Sequence, residues 1–269
     1  MTKDLRAVLL TLTAILCLSC AALAQRQERG MTCDNNWSGR GDGQRHCEIK
    51  ELPLAASGIV KVDGRQNGGV SVKGWDRNDI LVRARIEAQA PTESEAHALG
   101  NQVRIETAGA NIYADGPQSR DKSWWSVSYE VFVPRRSDLD LKAHNGGISI
   151  NGVGGNLRFE TTNGGVSLQE VSGKVQGRTS NGGLSVKLSG NRWEGEGMDV
   201  KTTNGGVNLV IPENYSARLE TGTVNGGFNL GIPVTVQGKI EKNLSTDLGS
   251  GGATIRLMTT NGGVSVKKQ

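Results

Sequence analysis

His46, His97 and His144 are the only imidazoles in this 269-residue chain, and imidazole is the side chain best suited to moving protons near neutral pH. None stands in the sequence context of a serine or cysteine nucleophile. His97 falls in a helical stretch and His144 precedes an Asn-Gly-Gly triplet, so a hydrolase triad has no local signature. Carboxylates gather once, as Glu194, Glu196 and Asp199 in "RWEGEGMD". A glycosidase pair would be drawn from such residues, one acid protonating the leaving group and the other attacking the sugar or activating water. Their irregular spacing, in a lengthened repeat, reads instead as a bulging loop with Trp193 as a candidate ligand contact. Trp124 and Trp125, adjacent at a strand start, are a second candidate contact, because indole faces stack on the apolar faces of sugars. Cys33 and Cys47 are expected to form a disulfide, since tetrahedral zinc needs four ligands and only His46 stands beside them. Closing that loop contributes about 3 kcal/mol on the chain-entropy model. The expectation is a protein without catalytic residues, metal or cofactor.

The elements around these residues begin with a targeting segment. Lys3 and Arg6 precede the apolar run "AVLLTLTAILCLSCAALA", and Ala22-Leu23-Ala24 makes a small-residue cleavage site before Gln25. Residues 1–24 therefore read as a signal peptide, carrying Cys17 and Cys20 away with it. Lipidation at Cys20 is the weaker alternative, because Cys17 occupies a position where such sites prefer leucine. A net charge of +4 with both signs interspersed argues against nucleic acid as a partner. No later stretch is long and apolar enough to cross a membrane as a helix.

Residues 25–50 form a polar, glycine-rich lead-in. It contains Arg40-Gly41-Asp42, which matches the tripeptide of integrin ligands but has no supporting context. Residues 51–138 are β-rich: "GIVKVDG", "GGVSVKGW" and "DILVRARIEA" alternate apolar and polar positions. One helix interrupts them, opened by Thr92 and Glu95 as a capping box.

From residue 139 to 269 the chain is short strands punctuated by glycine. Asn-Gly-Gly occurs seven times, at Asn67-Gly68-Gly69, Asn145-Gly146-Gly147, Asn163-Gly164-Gly165, Asn181-Gly182-Gly183, Asn204-Gly205-Gly206, Asn225-Gly226-Gly227 and Asn261-Gly262-Gly263. From Asn145 onward the intervals are 18, 18, 23, 21 and 36 residues, a period that marks a repeat architecture. Asn-Gly also signals hairpins, so a meander competes with a solenoid, and a closed barrel or sandwich could bury the same faces. With no helix to cover a flat sheet, coiling buries each strand's apolar face against the next wall. Glycine permits positive φ at the corners, and stacked asparagines can bond amide to amide from rung to rung. The fold class expected is all-β: a parallel solenoid with Asn-Gly-Gly corners, capped by the N-terminal β-rich segment and its short helix.

The segments "TTNGGVSL", "HNGGISI" and "TTNGGVNLVIP", with "NGGVSVKGWDRNDILVRARI" upstream, resemble a bacterial family of candidate adhesins, exported β-solenoid domains. The resemblance covers Ile59 to the C-terminus. It implies a right-handed β-helix-like fold at the cell envelope and carries no catalytic residues. The expected function is a non-enzymatic envelope module that binds protein or glycan through a solenoid face or its loops. Self-associating structure and polysaccharide cleavage are the alternatives. A monomer or weak dimer is expected, with Lys267 and Lys268 blunting the edge of the last rung.

Overall fold

The computed structural model describes residues 30–33, 43–56, 58–231 and 242–269. The signal segment, the sites at Cys20 and Gln25 and the Arg40-Gly41-Asp42 tripeptide lie outside the described residues. Residues 33–269 make one compact unit.

Two ten-stranded sheets face each other across a narrow apolar core. One runs, in spatial order, β1 (Gln44–Ala55), β4 (Asp79–Ala90), β7 (Trp124–Pro134), β3 (Val70–Trp75), β9 (Ile148–Asn151), β11 (Val166–Gln169), β13 (Leu184–Lys187), β15 (Val207–Ile211), β20 (Val264–Lys268) and β17 (Phe228–Gly231). The other runs β18 (Asn243–Leu248), β16 (Ala217–Asn225), β19 (Thr254–Asn261), β14 (Gly197–Asn204), β12 (Ser172–Asn181), β10 (Gly154–Thr161), β8 (Asp138–Ala143), β2 (Ile59–Asp63), β6 (Asn111–Asp115) and β5 (Arg104–Glu106). Pairing is parallel throughout the repeats. It turns antiparallel at the ends, where β1, β4 and β7 pair antiparallel, β5 closes on β6 and β18 closes on β16. The chain is a β-solenoid, as the repeat period predicts.

Alternation builds both walls. In β10, Leu157, Phe159 and Thr161 are buried while Asn156, Arg158 and Glu160 are exposed. Each residue stands in register with its equivalent one rung away, so Leu139, Leu157, Val175 and Met198 stack as one buried row. Phe159 has room because its neighbour in register is Gly177, where a Cβ would fall 2.3 Å from the ring. The helix α1 (Glu93–Asn101) opens as its capping box predicts: Thr92 accepts from Glu95 N and Glu95 accepts from Thr92 N. The Cys33–Cys47 disulfide ties residue 33 to β1.

The rung order departs from chain order. β19 and β20, the last repeat, lie between β14–β15 and β16–β17, not beyond them. Lys267 therefore stands on an interior strand, in register with Val210 and Gly231. It does not guard an open edge. The end of the second sheet is closed by β18 instead.

Candidate functional site

The Asn-Gly-Gly corners form a continuous spine of side-chain amides. Asn145 Nδ2 donates to Asn67 Oδ1 at 3.0 Å, Asn163 to Asn145 at 2.7 Å and Asn181 to Asn163 at 2.7 Å. Asn204 donates to Asn181 at 2.8 Å, Asn261 to Asn204 at 2.8 Å and Asn225 to Asn261 at 2.9 Å. All six bonds point the same way, so each amide polarises the next.

The glycines answer a different need from the one expected. None of the triplet glycines has positive φ. What they lack is room. A Cβ on Gly164 would lie 2.1 Å from Gly146 O, and one on Gly182 would lie 2.1 Å from Gly164 O, both far inside contact distance. The second glycine of each triplet is less crowded: a Cβ on Gly165 would stand 3.6 Å from Gly183 O. Positive φ occurs at the opposite corner, in Gly155, Gly173 and Gly195, a second glycine row whose spacing sequence reading passed over.

The threonine two residues before each asparagine is also part of the device, and sequence reading missed it. Thr161, Thr179 and Thr202 donate to Gly146 O, Gly164 O and Gly182 O, and Thr259 and Thr223 to Gly205 O and Gly262 O, all at 2.7–2.8 Å. These hydroxyls are buried and each satisfies the carbonyl that the corner turns inward. The signal was legible as Thr-x-Asn-Gly-Gly in five copies.

The other candidate residues separate. Trp193 is 6% exposed, in the core, with its indole N–H donating to Gly173 O at 3.1 Å. It packs the lengthened rung against the second glycine corner, and no ring face is open to a ligand, contrary to the expected exposed contact. Glu194, Glu196 and Asp199 have different surroundings. Glu196 pairs with Lys174 at 2.8 Å, and Glu194 borders a depression with Arg136 and Asp138. Asp199 projects from the outer face of β14. Glu194 and Asp199 border different clefts. His46 and His97 meet edge to face at 4.6 Å, where β1 meets α1, while His144 is exposed beside Asn145. Among the described residues no group of three or more His, Cys, Asp or Glu is placed to hold a metal, and no helix is long and apolar enough to cross a membrane.

Trp125 does line a pocket, and that pocket is where the amide spine begins. The cavity of about 350 Å³ is bordered by Arg65, Gln66, Asn67, Asp115, Trp125 and Ser126, among others. Asn67 accepts from Asn145 through Oδ1, so the spine presents its terminal amide N–H group at this end. Arg65 is held by the ring of Tyr113, 4.7 Å below its guanidinium, and by Asp63, which accepts from the Arg65 backbone at 2.8 Å. Its φ of 53° is in the left-handed region, a strained setting for a non-glycine residue and one found often at functional sites. The Trp125 indole N–H donates to Pro117 O at 2.7 Å, which fixes the ring. Gly116 lies so close that a Cβ there would stand 3.0 Å from that ring. Trp124 is half-buried and not among the lining residues. One further group stands nearby. Tyr129 is buried, its hydroxyl has no partner among the described residues, and burial first, then the charge of Asp63, raises its pKa above the usual phenol range.

These features define a β-solenoid domain with an aromatic pocket at the head of its spine. Over residues 66–267 the sequence matches the Toastrack DUF4097 family, and the chain belongs to that family. Its architecture is similar to that of a candidate cell adhesion protein from Clostridium sporogenes, at 12% identity over 84% of this chain and 100% of that one, with a TM-score of 0.45. A candidate adhesin from Bacteroides fragilis shares 10% identity over 82% of this chain and 97% of its own, at 0.39. A candidate lipid-binding protein from Parabacteroides distasonis shares 11% over 84% and 98%, at 0.31. No curated protein matches the sequence.

Proposed function

We propose that the protein is a non-enzymatic interaction module of the cell envelope that holds a glycan in the pocket at the head of the amide spine. The observation that carries this reading is the lining of that pocket. One fixed indole stands among planar amide, guanidinium and carboxylate groups from Asn67, Gln66, Arg65 and Asp115. Sugars offer an apolar ring face for the indole and vicinal hydroxyls that planar donors and acceptors bridge in pairs. The cavity's size suits one or two sugar rings and falls in the ordinary range for ligand sites. The pairing of Glu196 with Lys174, and the different clefts of Glu194 and Asp199, favour retention over cleavage, because glycoside hydrolysis needs two carboxyl groups across one bond. The Cys33–Cys47 bridge supports an oxidising, non-cytoplasmic setting.

The test is retention of the purified chain, disulfide intact, on an array of envelope and matrix polysaccharides, with released products scored in the same wells. Saturable retention without product is expected. Trp125→Ala should weaken it about tenfold or more, the loss of roughly 1.4 kcal/mol of stacking. Because Trp125 also packs against the core, Trp125→Ala should lower the urea unfolding midpoint, and retention is compared at temperatures where the variant stays folded by circular dichroism. Product release, or retention indifferent to Trp125, contradicts the proposal.

A further inference from the structure

The last repeat of the chain is threaded between two earlier ones. β16 does not pair with β14; β19 lies between them, as β20 lies between β15 and β17. The spine records the same order, running Asn204, Asn261, Asn225 where the chain runs Asn204, Asn225, Asn261. Four observations bear on what this arrangement can do.

First, the two walls of the slot are nearly equivalent. Thr202-Thr203-Asn204-Gly205-Gly206 lines one side and Thr223-Val224-Asn225-Gly226-Gly227 the other. The inserted rung satisfies both in the same way: Thr259 donates to Gly205 O, and Thr223 donates to Gly262 O. The equivalent rung of a second copy, with the same side chains and register, meets the same two walls. Second, the inserted rung cannot stay outside. Ile255, Leu257, Val264 and Val266 are 0–1% exposed, so water is no alternative to a slot. Third, the rung is joined to β18 by "GSGGA", where Gly249, Gly251 and Gly252 all have positive φ. Such a connection can redirect the chain at little conformational cost. Fourth, the outer edge of β16 is not free to receive another parallel rung, because β18 pairs antiparallel along it.

We infer that the rung spanning residues 254–268 is an exchangeable element and that its partner is the slot of a second copy of this chain. Swapped and unswapped forms contain the same contacts outside the hinge, so the balance between them is set by hinge length and concentration. Copies join through a rung given and a rung received, not by end-to-end stacking. The sheets in the joined form are those of the single chain, and the Trp125 pocket, at the far end of the spine, is untouched. Each linked copy therefore adds a binding site, and linkage raises avidity without any new ligand contact.

The experiment uses two full-length chains, one carrying Asp199→Cys and the other Arg256→Cys, exposed positions paired in register across β14 and β19. They are mixed, taken through partial denaturant and back at high concentration, and oxidised. A cross-link between the two introduced cysteines, joining the two chains, is expected. Deleting Ser250 and Gly251 in both chains should raise the cross-linked fraction several-fold, because a shortened hinge disfavours return to its own slot. The double variant Asp199→Cys/Arg256→Cys, refolded dilute, must cross-link within one chain. Its failure would overturn the register itself, and inter-chain cross-linking absent in both hinge lengths would overturn the exchange.

Discussion

At the residue scale, the repeat is governed by a contact distance. Asn163 donates an amide to the rung before it and accepts one from the rung after it, and Gly164 gives the backbone of Gly146 the space to lie against it. The amide ladder was legible in the sequence because a period and an amide at every corner leave few other geometries. The reason for glycine was not, since positive φ and missing Cβ space predict the same letter. Substitution separates the two positions of each triplet. Gly164→Ala should destabilise the fold by roughly 2–4 kcal/mol, since backbone and not a flexible side chain stands in the way. Gly165→Ala should cost under about 1 kcal/mol, because its Cβ would meet Gly183 O at an ordinary contact distance. Urea unfolding midpoints of the two variants measure the difference.

At the element scale, strands from different rungs bury phenols, and this couples stability to pH. Burial, with a smaller contribution from Glu194, pushes the Tyr215 hydroxyl up to about 12, from an ordinary value near 10. Tyr129 on β7 shifts in the same direction. An unfolded chain releases these protons as pH passes about 10, while the folded chain keeps them until its higher values are reached. The unfolded state therefore binds fewer protons in that window, and stability falls as pH rises through it. Below about pH 10 both states are protonated and the dependence vanishes. Tyr215→Phe should flatten the decline, as read from unfolding midpoints across the alkaline window. The strands themselves were legible from alternation, as was α1 from Thr92 and Glu95. Trp193 was misplaced because a lengthened repeat reads as an exposed bulge, whereas here its extra residues fold the indole inward onto Gly173 O. Nothing local in a sequence says which way such an insertion turns.

For the whole molecule, the solenoid class followed from the period of the triplets, but the order of the rungs did not. Each copy carries the same corner, so pattern alone cannot say which copies become neighbours. The doubled interval before Asn261 was the one trace, and it reads equally well as a degraded repeat. The pocket escaped for a related reason: Asn67 is far in sequence from Asp115 and Trp125, and only the folded sheets bring them together. The exchangeable rung depends on one claim, that the spine stacks out of chain order. That claim is tested most directly by disulfide trapping on the first sheet at low protein concentration. Asn208 stands in register with Ser265, which in turn stands in register with Asn229. Adjacent strands are about 4.8 Å apart, inside the Cα range a disulfide spans, and strands two apart are about 9.6 Å apart, outside it. The account predicts a rapid intramolecular bridge in Asn208→Cys/Ser265→Cys and none in Asn208→Cys/Asn229→Cys. A bridge in the second pair and none in the first would mean that the rungs stack in chain order, and would contradict the account.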